Sequence, residues 1–149
     1  MQNDLEYRLF KEELKLASIP KRAVAFIIDK ILLSLIVLAA MGDKFEGKDF
    51  EGVIVALNQT LVFTTAVEIA YQTIFTMLYG ATIGKMLTKV KVVDVQLIDN
   101  PSFGAALLRA SVKFLGEALF CVGFIWALFD PFKQAWHDKF AKTMVIDAY

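Results

Sequence analysis

The stretch from Lys21 to Met41, KRAVAFIIDKILLSLIVLAAM, constrains this chain more than any other: it is apolar over the length of a bilayer, yet carries Asp29 near its middle. A transmembrane helix needs ~20 mostly apolar residues. A carboxylate at the centre of such a helix costs about 2.5–3.5 kcal/mol to insert, so Asp29 is expected to face a protein interior or a wet cavity. Arg22 precedes Asp29 by seven residues and therefore lies on nearly the same helical face. The rise of ~1.5 Å per residue separates the two by roughly 10 Å, so direct contact requires Arg22 to bend inward or a water to bridge. Ala39 and Ala40 raise the alternative of a signal peptide, but such a peptide has a shorter, uncharged apolar core of ~7–15 residues. The segment is expected to be a retained helix.

Composition supports a membrane domain. Of 149 residues, 57% are hydrophobic and 13% aromatic, and the mean hydropathy is +0.54, above the ~45–50% apolar share of ordinary soluble domains. The formal net charge is zero, so no global basic field points to nucleic acid. One cysteine, Cys121, and one histidine, His137, supply neither a disulfide framework nor a zinc site, and no metal or other cofactor is expected.

Residues 1–19 carry Leu5, Leu9, Phe10, Leu14 and Leu16 among mixed charges, at a spacing that gives one apolar face of a short helix. This amphipathic cytoplasmic segment is expected either to lie on the membrane surface or to be a solvated terminal helix, ahead of a membrane domain over 20–149. Ser18 and Pro20 supply a stop and a fresh helix start. After Met41, GDKFEGKDFEG reads as a polar loop. The next apolar run, Val53 to Tyr79, is interrupted by Glu68, and its membrane part is placed at Leu57 to Tyr79, which puts Glu68 near mid-depth beside Asp29.

Beyond Gly80 the chain becomes basic, with Lys85, Lys89 and Lys91. VKVVDVQL alternates as a strand does, Asp99-Asn100-Pro101-Ser102 reads as a turn into a helix, and KTMVIDAY reads as a second short strand. Neither strand is stable alone, so pairing with each other is expected. Between them, Phe103 to Phe129 is apolar but unevenly so. Arg109, Lys113 and Glu117 recur every fourth residue as one charged stripe before FCVGFIWALF turns wholly apolar. This third segment either crosses once or enters and returns as a broken helical hairpin, with Gly116 and Gly123 as places to bend.

Charge distribution favours the return. Arg8, Lys11, Lys15, Lys21 and Arg22 precede the first helix, whereas the first loop offers Lys44 and Lys48 against four acids, so the amino terminus is expected inside. Lys133, Lys139 and Lys142 favour an inside carboxyl terminus, which requires the hairpin. The fold class is thus an all-α membrane protein: two full transmembrane helices, a third long broken or re-entrant segment, and a two-stranded cytoplasmic β pairing.

The residues able to carry chemistry are the polar layer of Arg22, Asp29, Lys30, Glu68, Arg109, Lys113 and Glu117. A buried carboxylate near a cation can bind and release a proton or small cation. In the alternative, Asp29 pairs with Arg22, Arg109 or Lys113 and fastens the bundle, while Lys30 answers Glu68. GATIGK lacks the spacing of a nucleotide-binding loop, and Met86 stands where the magnesium-holding hydroxyl would be, so no nucleotide is expected. Thr82 with the two glycines instead caps the second helix and turns the chain at the surface. His137-Asp138 has no nucleophile or second histidine beside it, so no catalytic residues and no enzyme activity are expected. Trp126 and Trp136 flank Asp130-Pro131 as interface anchors.

Three pieces, KRAVAFIIDKILL, GATIGKMLTKVKVVDVQLIDNPSFGAALLRA and WALFDPFKQAWHDKFAKTMVI, together resemble the RDD family of membrane proteins, named for an arginine and two aspartates. The likeness runs in order from about Ile19 to Ile146. Arg22 and Asp29 match the first helix, and Gly80, Thr82, Gly84 and Lys85 match a Gly-Thr-Gly-Lys turn. Asp94 lies in the following strand, Asp130 and Pro131 match an aspartate-proline turn, and His137 and Asp138 match a pair before the terminal strand. The second named aspartate is one of Asp94, Asp130 and Asp138, with Asp138 preferred. Lys30 and Glu68 depart from the pattern. The resemblance implies a bacterial inner-membrane location and a transport role without naming a substrate. The expected partners are the lipid bilayer and either further copies of the chain, as a homo-oligomer, or another membrane protein. Transport of a small solute, cation or proton and a non-catalytic module that anchors or regulates a partner are the two functional readings.

Overall fold

The computed structural model describes residues 2–119 and 121–148. Met1, Phe120 in the apolar part of the third segment and Tyr149 at the end of the second strand lie outside the described residues. The first apolar run forms α2 (Ile19–Met41), preceded by α1 (Gln2–Lys11). Ser18 takes the extended N-cap conformation and Pro20 sits in the first turn, where its missing N–H costs no helical bond. The second run forms α3 (Phe50–Tyr79). It is longer than expected, and the polar loop before it shorter, because the Asp49 carboxylate accepts from the Gly52 N–H at 2.9 Å and starts the helix there. Gly80 ends α3 at φ +68, with its N–H donating to the Thr76 carbonyl.

Both helices are inside out by the standard of a soluble protein. On α2 the buried residues are Arg22, Ala25, Asp29 and Leu33, while Val24, Ile27, Ile31, Leu35 and Leu38 are exposed. Segments Ile19–Lys44 and Phe50–Tyr79 are long and apolar enough to cross a membrane, and only 17% and 11% of their apolar windows are buried within the chain. A core helix of a soluble protein would hide that surface; exposed here, it matches lipid as its solvent.

After α3 come the short α4 (Ile83–Leu87), β1 (Val90–Asp94), α5 (Phe103–Ala118), α6 (Val122–Trp126), α7 (Trp136–Phe140) and β2 (Thr143–Asp147). The expected strand pairing is present: β1 and β2 are antiparallel, with Val92 opposite Val145. β1 is shorter than its apolar alternation, because the Asp94 carboxylate accepts from the Gln96 and Leu97 N–H groups and turns the chain away. The amino-terminal segment is neither free nor merely surface-bound. Leu5 is buried against Val93, Phe132, Met144 and Ile146, and Leu9, Leu14 and Leu16 pack around them. Leu16 bridges to Ile146, and the Asp147 N–H donates to the Lys15 carbonyl at 2.8 Å, so residues 15–17 extend the sheet.

The third apolar segment reverses. α5 packs along α3 and α4 along α2. At Glu117 the chain reaches Lys30, 2.5 Å away, but by Phe124 it is back beside Phe26, ring centroids 5.4 Å apart. By Lys133, whose carbonyl accepts from Arg22, it is beside the start of α2. The bend does not fall at either glycine expected to provide it. Gly116 lies inside α5 and Gly123 inside α6 against Trp136; the break lies between Ala118 and Val122, where Cys121 is left-handed at φ +59.

Leu5→Ala removes the buried side chain through which α1 enters the sheet core. A loss of about 2 kcal/mol is expected, the low end of buried Leu→Ala changes. Amide exchange should accelerate at Val93 and Met144 but not in the middle of α3; unchanged exchange in the sheet would contradict this docking.

Candidate functional site

Asp29 is 2% exposed and takes none of the cations expected for it. Its Oδ1 accepts from the Tyr71 hydroxyl at 2.7 Å and the Gly84 N–H at 2.8 Å, and its Oδ2 accepts from the Thr82 hydroxyl at 2.6 Å. The Tyr71 oxygen in turn accepts from the Ile83 N–H at 3.0 Å. Hydrogen bonds to a carboxylate are roughly twice as strong as neutral ones, and three of them replace much of the water lost on burial. The result fastens α4 onto α2 and α3. Gly84 makes the approach possible, because a Cβ there would collide with the Ala25 carbonyl and meet Asp29 Oδ1 at 2.8 Å. Of the Gly-Thr-Gly-Lys turn, therefore, only Gly80 caps α3 as expected. Thr82 and Gly84 are buried Asp29 partners rather than surface turn residues.

Arg22, expected beside Asp29, instead reaches toward the sheet. Its Nη2 donates to Asp138 Oδ2 at 2.6 Å and its Nη1 to the Lys133 carbonyl. Arg109 donates to Asp138 Oδ1 and, at 2.9 Å, to the Thr143 hydroxyl. Asp138 is fully buried, and its Oδ2 also accepts from the Ala135 N–H at 2.9 Å, closing the first turn of α7. One carboxylate thus joins α2, α5 and α7, and β2 joins through Arg109. Burial alone would raise its pKa, but the charges of Arg109 and Arg22 hold it well below the usual carboxylate range. The other two aspartates in matching stretches serve turns. Asp94 ends β1, and Asp130 accepts from the Phe132 and Gln134 N–H groups, each at 3.1 Å, while pairing with Lys139.

A second group lies deeper. Lys30 Nζ is 2.6 Å from Glu68 and 2.5 Å from Glu117, and Lys113 Nζ is 3.8 Å from Glu117. These long side chains bridge α2, α3 and α5. Between the two groups is a cavity of about 20 Å³, lined by Arg22, Asp29, Lys85, Arg109, Lys113 and His137 and by the rings of Phe26 and Phe124. His137 is 3.5 Å from Asp138 and stacks at 5.0 Å on Phe124, so it faces this interior. Trp126 is half-exposed, with Lys139 over its ring, and Trp136 packs on Gly123.

Sequence reasoning missed Tyr71 and Thr143. Tyr71 carried a signal, a polar-tipped aromatic one turn from Glu68 on the same apolar helix; Thr143 carried none, since its role depends on how β2 meets α5. The polar layer separates into three parts: the Asp29 clamp, the Arg22–Asp138–Arg109 cluster and the Lys30–Glu68–Glu117–Lys113 chain.

A family model described as the RDD family matches residues 16–142. A protein of Rickettsia prowazekii (strain Madrid E), described as uncharacterized, is 33% identical over 92 residues, 60% of this chain and 51% of that protein. A proline-rich antigen of Mycobacterium leprae (strain TN) is 30% identical over 67 residues, 45% of this chain and 27% of its own length. The matched regions thus span about half of the first relative and about a quarter of the second. No solved structure matches the chain.

Burial pushes His137 well below its ordinary pKa, and the Arg109 and Arg22 charges add to this, partly opposed by Asp138. As pH falls through the ordinary histidine value of ~6.5, the unfolded chain gains a proton that the folded chain refuses. Stability is therefore expected to be full above that value and to decline between about pH 7 and pH 5. His137→Gln should flatten that slope in thermal unfolding; an identical slope in the variant would contradict the assignment.

Proposed function

The chain belongs to the RDD family, and we propose that it is a multi-pass protein of the bacterial inner membrane whose polar layer is a fastening. In this reading it is a non-catalytic membrane module that assembles with, anchors or regulates a partner. The observation that carries this reading is the environment of Asp29. Three protein donors already occupy its oxygens, and Lys85 and Lys113 stand on the same cavity wall. A metal cation at Asp29 would have to displace those donors beside the two buried lysines, which is unfavourable in a low-dielectric interior.

Charge and the reversal of α5 and α6 support this placement in the bilayer. Lys and Arg cluster before α2 and after α3, and the intervening loop is acidic on balance. The α5–α6 hairpin reaches the level of Lys30 and returns beside the start of α2, which supports a reading with the sheet on the cytoplasmic side. Two long apolar helices are too few to enclose a route for a solute within one copy, and the small cavity among the described residues is lined by α2, α4, α5, α6 and α7 rather than by both of them, so transport would demand an oligomer. The Mycobacterium leprae relative, of which the matched region is about a quarter, supports a module that is combined with other segments.

Reconstitution separates the readings. Proteoliposomes with sodium, potassium or proton gradients are expected to show no flux above protein-free vesicles, and affinity purification from native membranes to yield a complex of fixed stoichiometry. A cation- or proton-dependent flux abolished by Asp29→Asn would overturn the module in favour of transport.

A further inference from the structure

The charges around the small cavity do not balance. Arg22 and Arg109 share the single carboxylate of Asp138. Lys30 and Lys113 are matched by Glu68 and Glu117. Lys85 is 8% exposed and, among the described residues, has no carboxylate within ion-pair distance and no hydrogen-bond acceptor. Even setting Asp29 against Lys85, the layer holds five cations and four carboxylates. Asp29 cannot serve Lys85 directly, because its oxygens are turned to Tyr71, Thr82 and Gly84.

We propose that this cavity, between Lys85 and Lys113 beneath α4, is a binding site for one small monovalent anion of halide size. Lys113 also points to an anion, since its nearest carboxylate oxygen, on Glu117, is 3.8 Å away, beyond hydrogen-bond range. The volume of about 20 Å³ exceeds the ~10–15 Å³ needed for one water, which suits a single small ion. Phe26 and Phe124 line one wall of the site, and the buried guanidinium groups of Arg22 and Arg109 add a positive field. Asp29 and Asp138 oppose an anion, but both are engaged by protein donors. Burial and the Arg109 and Lys113 charges push the Lys85 ammonium well below its usual range, against the pull of Asp29; a bound anion would offset this. An uncharged Lys85 is the other way to settle the surplus, and experiment separates the two.

Thermal unfolding of the purified full chain in nanodiscs, titrated with sodium chloride against sodium gluconate at constant ionic strength, is the test. The expected result is a saturable rise of several degrees in chloride, as for any ligand that binds the folded state alone. Bromide should reproduce it and sulfate should not. Lys85→Met, which keeps the side-chain length, should lose the rise. The broadened 35Cl resonance of the wild type, narrowed by competing bromide, provides a second readout that does not depend on how the variant folds. Absence of a chloride response, an equal response to sulfate, a chloride resonance no broader than with empty nanodiscs, or an undiminished rise in folded Lys85→Met would each overturn the proposal.

Discussion

Asp138, held between Arg22 and Arg109, is the interaction on which the remainder of the structure depends. Removing a carboxylate from water costs several kcal/mol even after relaxation, and Asp138 is fully buried. Its oxygens are taken by two guanidinium groups and a backbone N–H. Those donors come from α2, α5 and the start of α7, while Thr143 of β2 steadies Arg109 from the far side. Because a buried charge without partners is so costly, the four elements are held in one arrangement. The sheet, its covering α1 and the base of the long helices are thereby built as one body.

Asp29 applies the same physics one level deeper with neutral donors. Thr82, Tyr71 and Gly84 bring α3 and α4 to α2 without a cation. The two aspartates of the layer therefore have different roles: Asp138 gathers positive charge, whereas Asp29 positions a short helix. That division leaves Lys85 in the cavity without a carboxylate partner. It also supports the proposed fastening role of Asp29, since a carboxylate on an apolar helix is usually the first candidate for ion transport.

Much of this was legible in the sequence. Continuous apolar runs around Asp29 and Glu68 marked the two long apolar helices, alternation in VKVVD and TMVID marked the paired strands, and four-residue spacing placed Arg109, Lys113 and Glu117 on one face. Lys30 stands beside Glu68, the partner that equal depth suggested. The partners of Arg22 and Asp29 were not legible, because helical periodicity specifies a face but not what approaches it. Both turn to elements distant in sequence, Asp138 being 116 residues from Arg22. Likewise, the bend after α5 forms beside a left-handed Cys121 rather than at Gly116 or Gly123, since what chiefly decides it is the packing of Phe124 on Phe26 and His137. The amphipathic face of residues 1–19 was correctly apolar, but its cover is the sheet, which periodicity alone does not reveal.

The central claim is that the Arg22–Asp138–Arg109 cluster acts as one structural unit. A double-mutant cycle tests it most directly: unfolding free energies of Arg109→Met, Asp138→Leu and the double variant, measured reversibly in mild detergent. Residues in one buried ionic network couple by ~0.5–3 kcal/mol. The account predicts a coupling in the upper half of that range, with the double variant clearly more stable than the sum of the single losses implies. Losses that add to within about 0.5 kcal/mol would contradict it.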